Sequence, residues 1–377
     1  MAHITINYYP NGHVIRTTSV TINGVEYDIY NVPKNSVINE DIFLGAYYAS
    51  EYMQLYQLPD LSTCTLNGNY YCYGQKFLKS LHGVPHTING SFHCYWGHFD
   101  TLIGGPKYVG GNYDCEGVGL TSLEGAPTHV GGNFNCSCNR LTSLEHCPSE
   151  IGKDLDCSGN KLTSLHGAPE IINGDFLCNF NKCEMTLDGA PSIVFGDFSC
   201  KKSKLTSLKG GPTDVGGKFD VGHNLLETLH GAPKNVEGHF YCDHNQLKNL
   251  EGCPETIGGG FGCCNNQLTS LVGGPRKIGT KYLFNLSQLH KKDPKNPYGK
   301  LIHKPNTWIE SYGCWNNPLT SLMGAPQPHE VRCDLTCGND NLDENSTAPE
   351  YLAAPQIRVW NVKPELLAKM IENGKLH

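Results

Sequence analysis

The stretch "NFNCSCNRLTSLEHCP", residues 133–148, is one copy of a phrase that recurs along most of the chain. Aligned on its last residue, the phrase returns at Pro85, Pro106, Pro127, Pro148, Pro169, Pro191, Pro212, Pro233, Pro254, Pro275, Pro305 and Pro326. Nine of the eleven steps between these prolines are 21 residues long, one is 22 and one is 30. Self-similarity at a short fixed period is typical of a solenoid in which each repeat forms one rung.

The residues of each copy predict a short strand with one buried face. Phe134 and Cys136 are two residues apart, so both point to one face of an extended strand, whereas Asn135 points to the other. The Phe134 column is always large, and the Cys136 column accepts Val221 and Phe284. A position that accepts valine favours a compact apolar side chain, which is how free cysteine usually behaves. We predict that the column cysteines fill the core, with disulfide staples or redox pairs as the alternative.

An asparagine follows the strand where the chain must turn. It recurs as Asn139, Asn160, Asn181, Asn224, Asn245, Asn266 and Asn317. A buried amide at that point can bond the open backbone groups of the neighbouring rung, so we predict an asparagine ladder. Leucine pairs such as Leu141 and Leu144 close the core behind it, and the glycines and prolines supply the turns.

The phrase F-x-C-x-x-N-x-L resembles the L-x-L-x-x-N-x-L core of leucine-rich repeats, with cysteine in the second apolar position. The short unit and its helix-free remainder resemble the bacterial repeats found in secreted effectors and in bacterial and phage proteins. The resemblance covers about residues 60–343. It implies a mainly β fold: a curved solenoid with a parallel sheet on the concave side and extended or short 3₁₀ segments on the convex side. It implies little about function, because this family does many jobs.

We divide the chain into an N-terminal cap at 1–59, a solenoid of about 13 rungs at 60–343 and a C-terminal cap at 344–377. Solenoids need such caps because a terminal rung has no neighbour on one side. The insertion at 290–300, "HKKDPKNPYGK", predicts a surface loop, with a second contact site for an acidic partner as the alternative.

The caps carry their own local signals. Alternating residues around "PNG" and "NG" predict a small antiparallel meander at 3–31. The stretch "NEDIFLGAYYASEYMQL" predicts an amphipathic helix from Asn39 to Leu55, capped by Asn39. Near the end, "QIRVWNV" predicts a last strand and "KPELLAKMIENGKL" a closing helix.

Composition excludes several classes of partner. The net charge of -7 with 17% charged residues is mild, so we expect no nucleic-acid partner. The N-terminus lacks a basic start and apolar run, and no stretch reaches about 18 apolar residues, which predicts a soluble cytoplasmic protein without a membrane partner. If the chain is phage-encoded, that cytoplasm is the host's. Thiols stay reduced there, so the 18 cysteines are expected to be free.

No catalytic signature stands out from the repeat. We find no Ser/His/Asp order, P-loop or nucleotide fingerprint, and predict that the protein is not an enzyme and needs no cofactor. Four side chains from two consecutive rungs could approach one metal, although we expect them to be plain binding-surface residues: His223, His239, Asp243 and His244.

The face opposite the core offers the candidate binding site. Its aromatic and acidic residues are Tyr71, Tyr73, His93, Tyr95, Trp96, Asp114, Glu116, Asp154, Asp156, Asp175, Asp197, Tyr241, Asp243 and Trp315. Tyrosine and tryptophan are the usual interface anchors, and a run of carboxylates would attract a basic partner. We predict recognition of a protein through this face, with inhibition of a host factor by analogy with phage relatives.

Alternatives remain open for that face. The alternative interpretations are an ordinary solvated surface, a packing surface of a structural or assembly component, and part of a small-ligand or metal trap. The oligomeric state is not determined by the sequence. If the face binds a basic partner, reversing Asp154 and Asp156 to lysine should weaken association and leave folding almost intact, because exposed charges change stability little.

Overall fold

The computed structural model describes residues 4–9, 12–44, 55–279, 311–314, 317, 334–338 and 357–360. All regular structure in these residues is β, with no helix among them. The chain divides into two compact units, Met1–Pro212 and Thr213–His377. Each unit is a stretch of parallel β-solenoid, which confirms the mainly β repeat fold.

The first unit begins with two antiparallel hairpins in separate two-stranded sheets, so the predicted antiparallel pairing is present but the described strands do not form one meander. Their strands are β1 (Ile4–Tyr9) with β2 (Gly12–Thr17) and β3 (Ser19–Ile22) with β4 (Val25–Asp28). Asn23 and Gly24 join the second pair with φ of 51° and 80°. Positive φ at both central residues is the turn that favours Asn-Gly in a tight hairpin.

The rest of the first unit alternates between two parallel ladders of two-residue strands. The main ladder contains β6 (Ile42–Phe43), β8 (Tyr70–Tyr71), β10 (Phe92–His93), β12 (Tyr113–Asp114), β14 (Phe134–Asn135), β16 (Leu155–Asp156), β18 (Phe176–Leu177) and β20 (Phe198–Ser199). The second ladder contains β5 (Val37–Ile38), β7 (Thr65–Leu66), β9 (Thr87–Ile88), β11 (Tyr108–Val109), β13 (His129–Val130) and β15 (Glu150–Ile151), and a further pair is β17 (Ile171–Ile172) with β19 (Ile193–Val194).

The second unit repeats this plan. Its main ladder contains β22 (Phe219–Asp220), β24 (Phe240–Tyr241), β26 (Phe261–Gly262), β28 (Ser311–Gly313), β29 (Asp334–Gly338) and β30 (Ile357–Trp360). Its second ladder contains β21 (Asp214–Val215), β23 (Asn235–Val236), β25 (Thr256–Ile257) and β27 (Lys277–Ile278). Strand β30 confirms the last strand predicted from "QIRVWNV". The insertion at 290–300 and the C-terminal helix lie outside the described residues.

The core follows the sequence columns. Phe134, Cys136, Leu141 and Leu144 are all fully buried, and Val221 occupies the cysteine position with no exposure. The cysteines whose side chains are described are free thiols. Equivalent residues pair directly across neighbouring strands, as Phe134 does with Leu155. Each fully buried large apolar side chain contributes about 1.5–3 kcal/mol, so the repeated columns carry most of the stability.

The predicted helix from Asn39 to Leu55 is wrong over its first part. Residues Ile42–Phe43 form β6 and pair with Tyr70–Tyr71 as one more rung, and Nδ2 of Asn67 donates to Oδ1 of Asn39 at 2.6 Å. Asn39 therefore belongs to a rung and is not a helix cap. The local helical pattern was overridden because an adjacent rung offered the backbone of this segment a strand partner. Residues 45–54 lie outside the described residues.

Tyr113 places a hydroxyl group in a core column that is apolar in most rungs. Its ring is fully buried, and among the described residues its hydroxyl has no hydrogen-bond partner. Tyr113→Phe is expected to stabilise the first unit by about 1 kcal/mol, because an unsatisfied buried hydroxyl is removed and phenylalanine already fills the column in most rungs. Urea unfolding would measure it, with the exposed Tyr108→Phe as the neutral control. A loss of stability would show that the hydroxyl is bonded.

In the second unit, the surroundings of Glu237 disfavour the ionised form of its carboxyl group. Its Oε1 is buried with no partner among the described residues, and burial raises the pKa of Glu237 from 4.5 to about 7. The folded chain therefore keeps a proton that the unfolded chain releases between these two pH values. Stability should fall as pH rises through that window.

Glu237→Gln should remove this pH dependence and stabilise the protein above about pH 7. The gain is expected to be about 1 kcal/mol, because the half-exposed carboxyl is partly screened by water. Urea unfolding at about pH 5 and about pH 8 would measure it, with Glu251→Gln, an exposed carboxyl of the same unit, as the control. An equal gain at both pH values would contradict titration of Glu237 as the cause.

Candidate interaction surface

Every rung presents a set of side chains away from the core, on a side that we call the open face. In the rung of Phe134 these are Asn133 at the leading position, Asn135 at the middle position and Ser137 at the trailing position. Cys138 follows at the turn position, and Arg140 lies at the edge position two residues later. The parallel register stacks equivalent positions of successive rungs into columns about 4.8 Å apart.

Middle-position side chains at the start of the first unit form an aromatic stack. The rings of Phe43 and Tyr71 are parallel with centroids 4.6 Å apart, and Tyr71 stacks on His93 at 5.0 Å. Burial lowers the pKa of His93, which favours the neutral imidazole. Its Nδ1 lies 4.0 Å from a carboxylate oxygen of Asp114. A neutral ring at that distance extends the aromatic stack and does not form an ion pair.

The trailing column adds a second stack beside the first. Tyr73 and Tyr95 are parallel with centroids 4.9 Å apart, and Trp96 meets Tyr95 edge to face at 5.3 Å. We name Phe43, Tyr71, Tyr73, His93, Tyr95 and Trp96 together the aromatic patch. The structure thus brings five predicted residues into one continuous surface and adds Phe43. Sequence reasoning missed Phe43 because it assigned that residue to a helix.

The turn column holds the backbone in a left-handed conformation. Glycine occupies it as Gly74, Gly117 and Gly159, which adopt positive φ without strain. Trp96 and Phe180 occupy it with φ of 54° and 57°, at a cost of about 1–2 kcal/mol each. Their side chains are 62% and 54% exposed. Other non-glycine residues of the column, such as Cys138 and Lys202, adopt the same conformation, so the left-handed backbone is a property of the turn, and what distinguishes these two residues is a large exposed ring.

Leading-position carboxylates are part of the fold. The backbone N–H of Asp175 donates to Oδ1 of Asp154 at 2.9 Å, and that of Asp197 donates to Oδ1 of Asp175 at 2.7 Å. Neutral rungs use the same bond, since the N–H of Asn133 donates to Oδ1 of Asn112 at 2.9 Å. Each strand has only two residues, so a side chain must satisfy the N–H group at its end.

Middle-position carboxylates also bond the backbone. The N–H of Glu116 donates to Oδ1 of Asp114 at 3.1 Å, and the N–H of Ser158 donates to Oδ1 of Asp156 at 2.9 Å. Burial raises the pKa of Asp114. The premise that Asp154 and Asp156 are simply exposed charges is wrong, because each accepts a backbone hydrogen bond, and we now expect the lysine substitutions to cost stability. The acidic columns are held in place by the rungs and remain partly accessible.

The four residues weighed as a metal cluster, all in the second unit, do not converge. The rings of His223 and His244 stack face to face with centroids 4.1 Å apart. Nδ1 of His239 accepts the N–H of Gly260 at 2.8 Å, and Oδ1 of Asp243 accepts the N–H of Cys264 at 2.6 Å. Among the described residues, no group of three or more His, Cys, Asp or Glu side chains could hold a metal ion.

Two predicted residues remain, Tyr241 and Trp315. Tyr241 stacks on His239 at 5.6 Å, and burial together with the carboxylates of Asp220 and Asp243 raises the pKa of Tyr241. Trp315 lies outside the described residues. In the turn column Cys138 is exposed, as expected from its position.

Sequence reasoning missed the edge column of the first unit. It carries an exposed cation on four successive rungs, namely Arg140, Lys161, Lys182 and Lys204. These cations share one position in the repeat alignment, so the sequence contained the pattern, but the prediction considered only the residues of the strands. Phe180 was missed for the same reason, since it lies in the turn column and not in a strand.

No family model, curated protein or solved structure matches the chain. The described residues contain no helix of the length and apolarity needed to cross a membrane.

Proposed function

We propose that this chain is a leucine-rich-repeat-type recognition protein that binds a protein partner through the open face of its first unit. The observation that carries the proposal is Trp96, which is 62% exposed on left-handed backbone at the rim of the aromatic patch. Other residues of the turn column share this backbone conformation, so the feature specific to Trp96 is a large apolar ring left exposed to water. A partner that covers the ring would remove this apolar area from water.

The aromatic patch has the chemistry of an interface anchor. Tyrosine and tryptophan bury large areas with few rotatable bonds, and they are enriched among residues that dominate binding energy. The stacks of Tyr71 on His93 and of Tyr73 on Tyr95 hold the rings in fixed orientations before a partner arrives. A preorganised surface loses less side-chain entropy on association than a mobile one.

The acidic columns supply charge complementarity to a basic partner surface. Their carboxylates are fixed by backbone hydrogen bonds, as in Asp154 and Asp156, so their positions are also set before binding. Complementary charge mainly raises the association rate and excludes wrong partners. We propose no enzymatic activity and no cofactor, and we place the protein in a reducing cytoplasm, since its described cysteines are free thiols.

The test is a partner-binding measurement with a matched aromatic control. A partner captured by the wild-type protein should bind Tyr95→Ala/Trp96→Ala at least about tenfold more weakly, because aromatic anchors contribute about 2 kcal/mol or more. High salt should not restore the loss. The control is Tyr56→Ala/Phe77→Ala, another exposed stacked pair with centroids 5.3 Å apart, outside the aromatic patch. Equal affinity of the two variants for the partner would defeat the proposal.

A further inference from the structure

A groove runs beside the turn column of the first unit. Its volume is about 720 Å³, and Gly117 and Gly159 leave space on either side of Cys138. Phe180 lines the groove, with its ring 54% exposed. The side of the groove away from the strands is lined by the edge column.

The groove carries an excess of positive charge. Four lysine or arginine side chains and one histidine line it against a single carboxylate, that of Asp100. Arg140, Lys161 and Lys182 occupy the edge position on three successive rungs and are exposed. Within the described part of the chain, none of these three side chains forms an ion pair or a hydrogen bond.

This arrangement is unfavourable in the free protein. Cations on adjacent rungs are stacked about 4.8 Å apart at their backbones, and like charges directly opposite each other destabilise a sheet. The acidic columns show that the rungs accept carboxylates at other positions, yet the edge position lacks them here. An anionic ligand in the groove would relieve the repulsion among Arg140, Lys161 and Lys182.

We infer that the groove binds an extended acidic segment of a protein partner, an inference that rests on the proposed function. Alternate side chains of an extended peptide are about 6.6–6.8 Å apart on one face, a spacing that long lysine and arginine side chains reach from successive rungs. An apolar residue of the segment packs on the exposed part of Phe180, whose ring also lies 5.4 Å from Nζ of Lys202.

The neighbouring columns favour a peptide over a nucleic acid. By register, Asp114 and Asp156 flank the rung of Cys138 on the open face. A phosphodiester chain carries a charge on every nucleotide and would be repelled along this side. A peptide can place neutral residues there and its carboxylates toward the cations.

The experiment uses the full chain and a fluorescein-labelled peptide of alternating glutamate and glycine with one leucine. Anisotropy should show saturable binding at low salt that weakens as salt is raised. Arg140→Gln/Lys161→Gln/Lys182→Gln should weaken it about tenfold. Lys107→Gln/Lys153→Gln/Lys209→Gln removes the same charge from exposed positions that do not line the groove and should change the affinity less than about twofold.

Several results would overturn the inference. These are no binding of the peptide, equal weakening in the two triple variants, or tighter binding of labelled oligothymidylate than of the peptide. Tyr95→Ala/Trp96→Ala should leave peptide binding unchanged, so failure of the groove is distinguishable from failure of the aromatic patch. Phe180→Gly gives a second readout: the protein should become more stable while the peptide binds several-fold more weakly.

Discussion

Asn139→Ala is expected to lower the free energy of unfolding of the first unit by about 3–5 kcal/mol. Its Oδ1 accepts three backbone N–H groups of the preceding rung, from Val118, Gly119 and Leu120, at 2.8–3.1 Å. Its Nδ2 donates to three backbone carbonyls, two of its own rung and one of the preceding rung, at 2.9–3.1 Å. Alanine would leave these buried groups unsatisfied, and each such group costs about 1–3 kcal/mol before relaxation.

The preceding rung explains why we expect the loss of Asn139 to cost more stability than the loss of an equivalent asparagine. Val118 occupies the asparagine position there and has no side-chain amide. Asn139 therefore hydrogen-bonds the backbone of the turn in both rungs. Asn160 has four described bonds in the same column. We therefore expect Asn160→Ala to cost less than Asn139→Ala, a ranking that burial alone would not predict.

Urea unfolding followed by circular dichroism would measure both substitutions. Asn139→Ser is the matched control, because Ser203 fills this column naturally and its Oγ donates to carbonyls of Cys178 and Lys201. The serine variant should keep part of the network and lie between the wild type and alanine. A cost below about 1 kcal/mol for Asn139→Ala would mean that water replaces the amide.

Cys157→Asp is the second substitution expected to have a large effect, a loss of about 3–5 kcal/mol. The Cys157 thiol is fully buried, and its Sγ lies 3.3 Å from the carbonyl oxygen of Leu177. Burial raises the pKa of the Cys157 thiol well above its usual range, so the site disfavours a negative charge. A carboxylate there would be desolvated and would face a carbonyl oxygen.

Cys157→Val is the matched control for this position. Valine is apolar and compact, and Val221 already fills the column. We expect a cost of about 1 kcal/mol or less, part of it from the weak thiol bond to Leu177. Urea unfolding compares the two variants. If valine were as damaging as aspartate, the cysteines would have a role other than packing.

The parts predicted from the sequence are those that one residue column determines. The 21-residue period, the buried Phe134 and Cys136 columns, the asparagine ladder and the Asn23–Gly24 hairpin turn all follow from side-chain size, polarity or glycine at a position. Repetition made these signals strong, because the same physical requirement recurs in each rung.

Other features depend on neighbours that are remote in sequence. Ile42–Phe43 became a strand because a rung 28 residues later supplied the backbone partner, which outweighed the local helical pattern. The second ladder of two-residue strands also requires adjacent rungs, since a pair such as His129–Val130 has no strand signal of its own.

For the candidate site, the sequence by itself determined most of the strand residues of the open face, whereas only the tertiary structure added Phe43 and decided what these residues do there. Asp154 reads as a free surface charge, but stacking of the rungs places its carboxylate on the N–H of Asp175. Trp96 reads as one more exposed aromatic, but the turn places it on left-handed backbone. Side-chain period sets the direction of a residue, whereas its hydrogen-bond partners and backbone strain come from the rungs packed beside it.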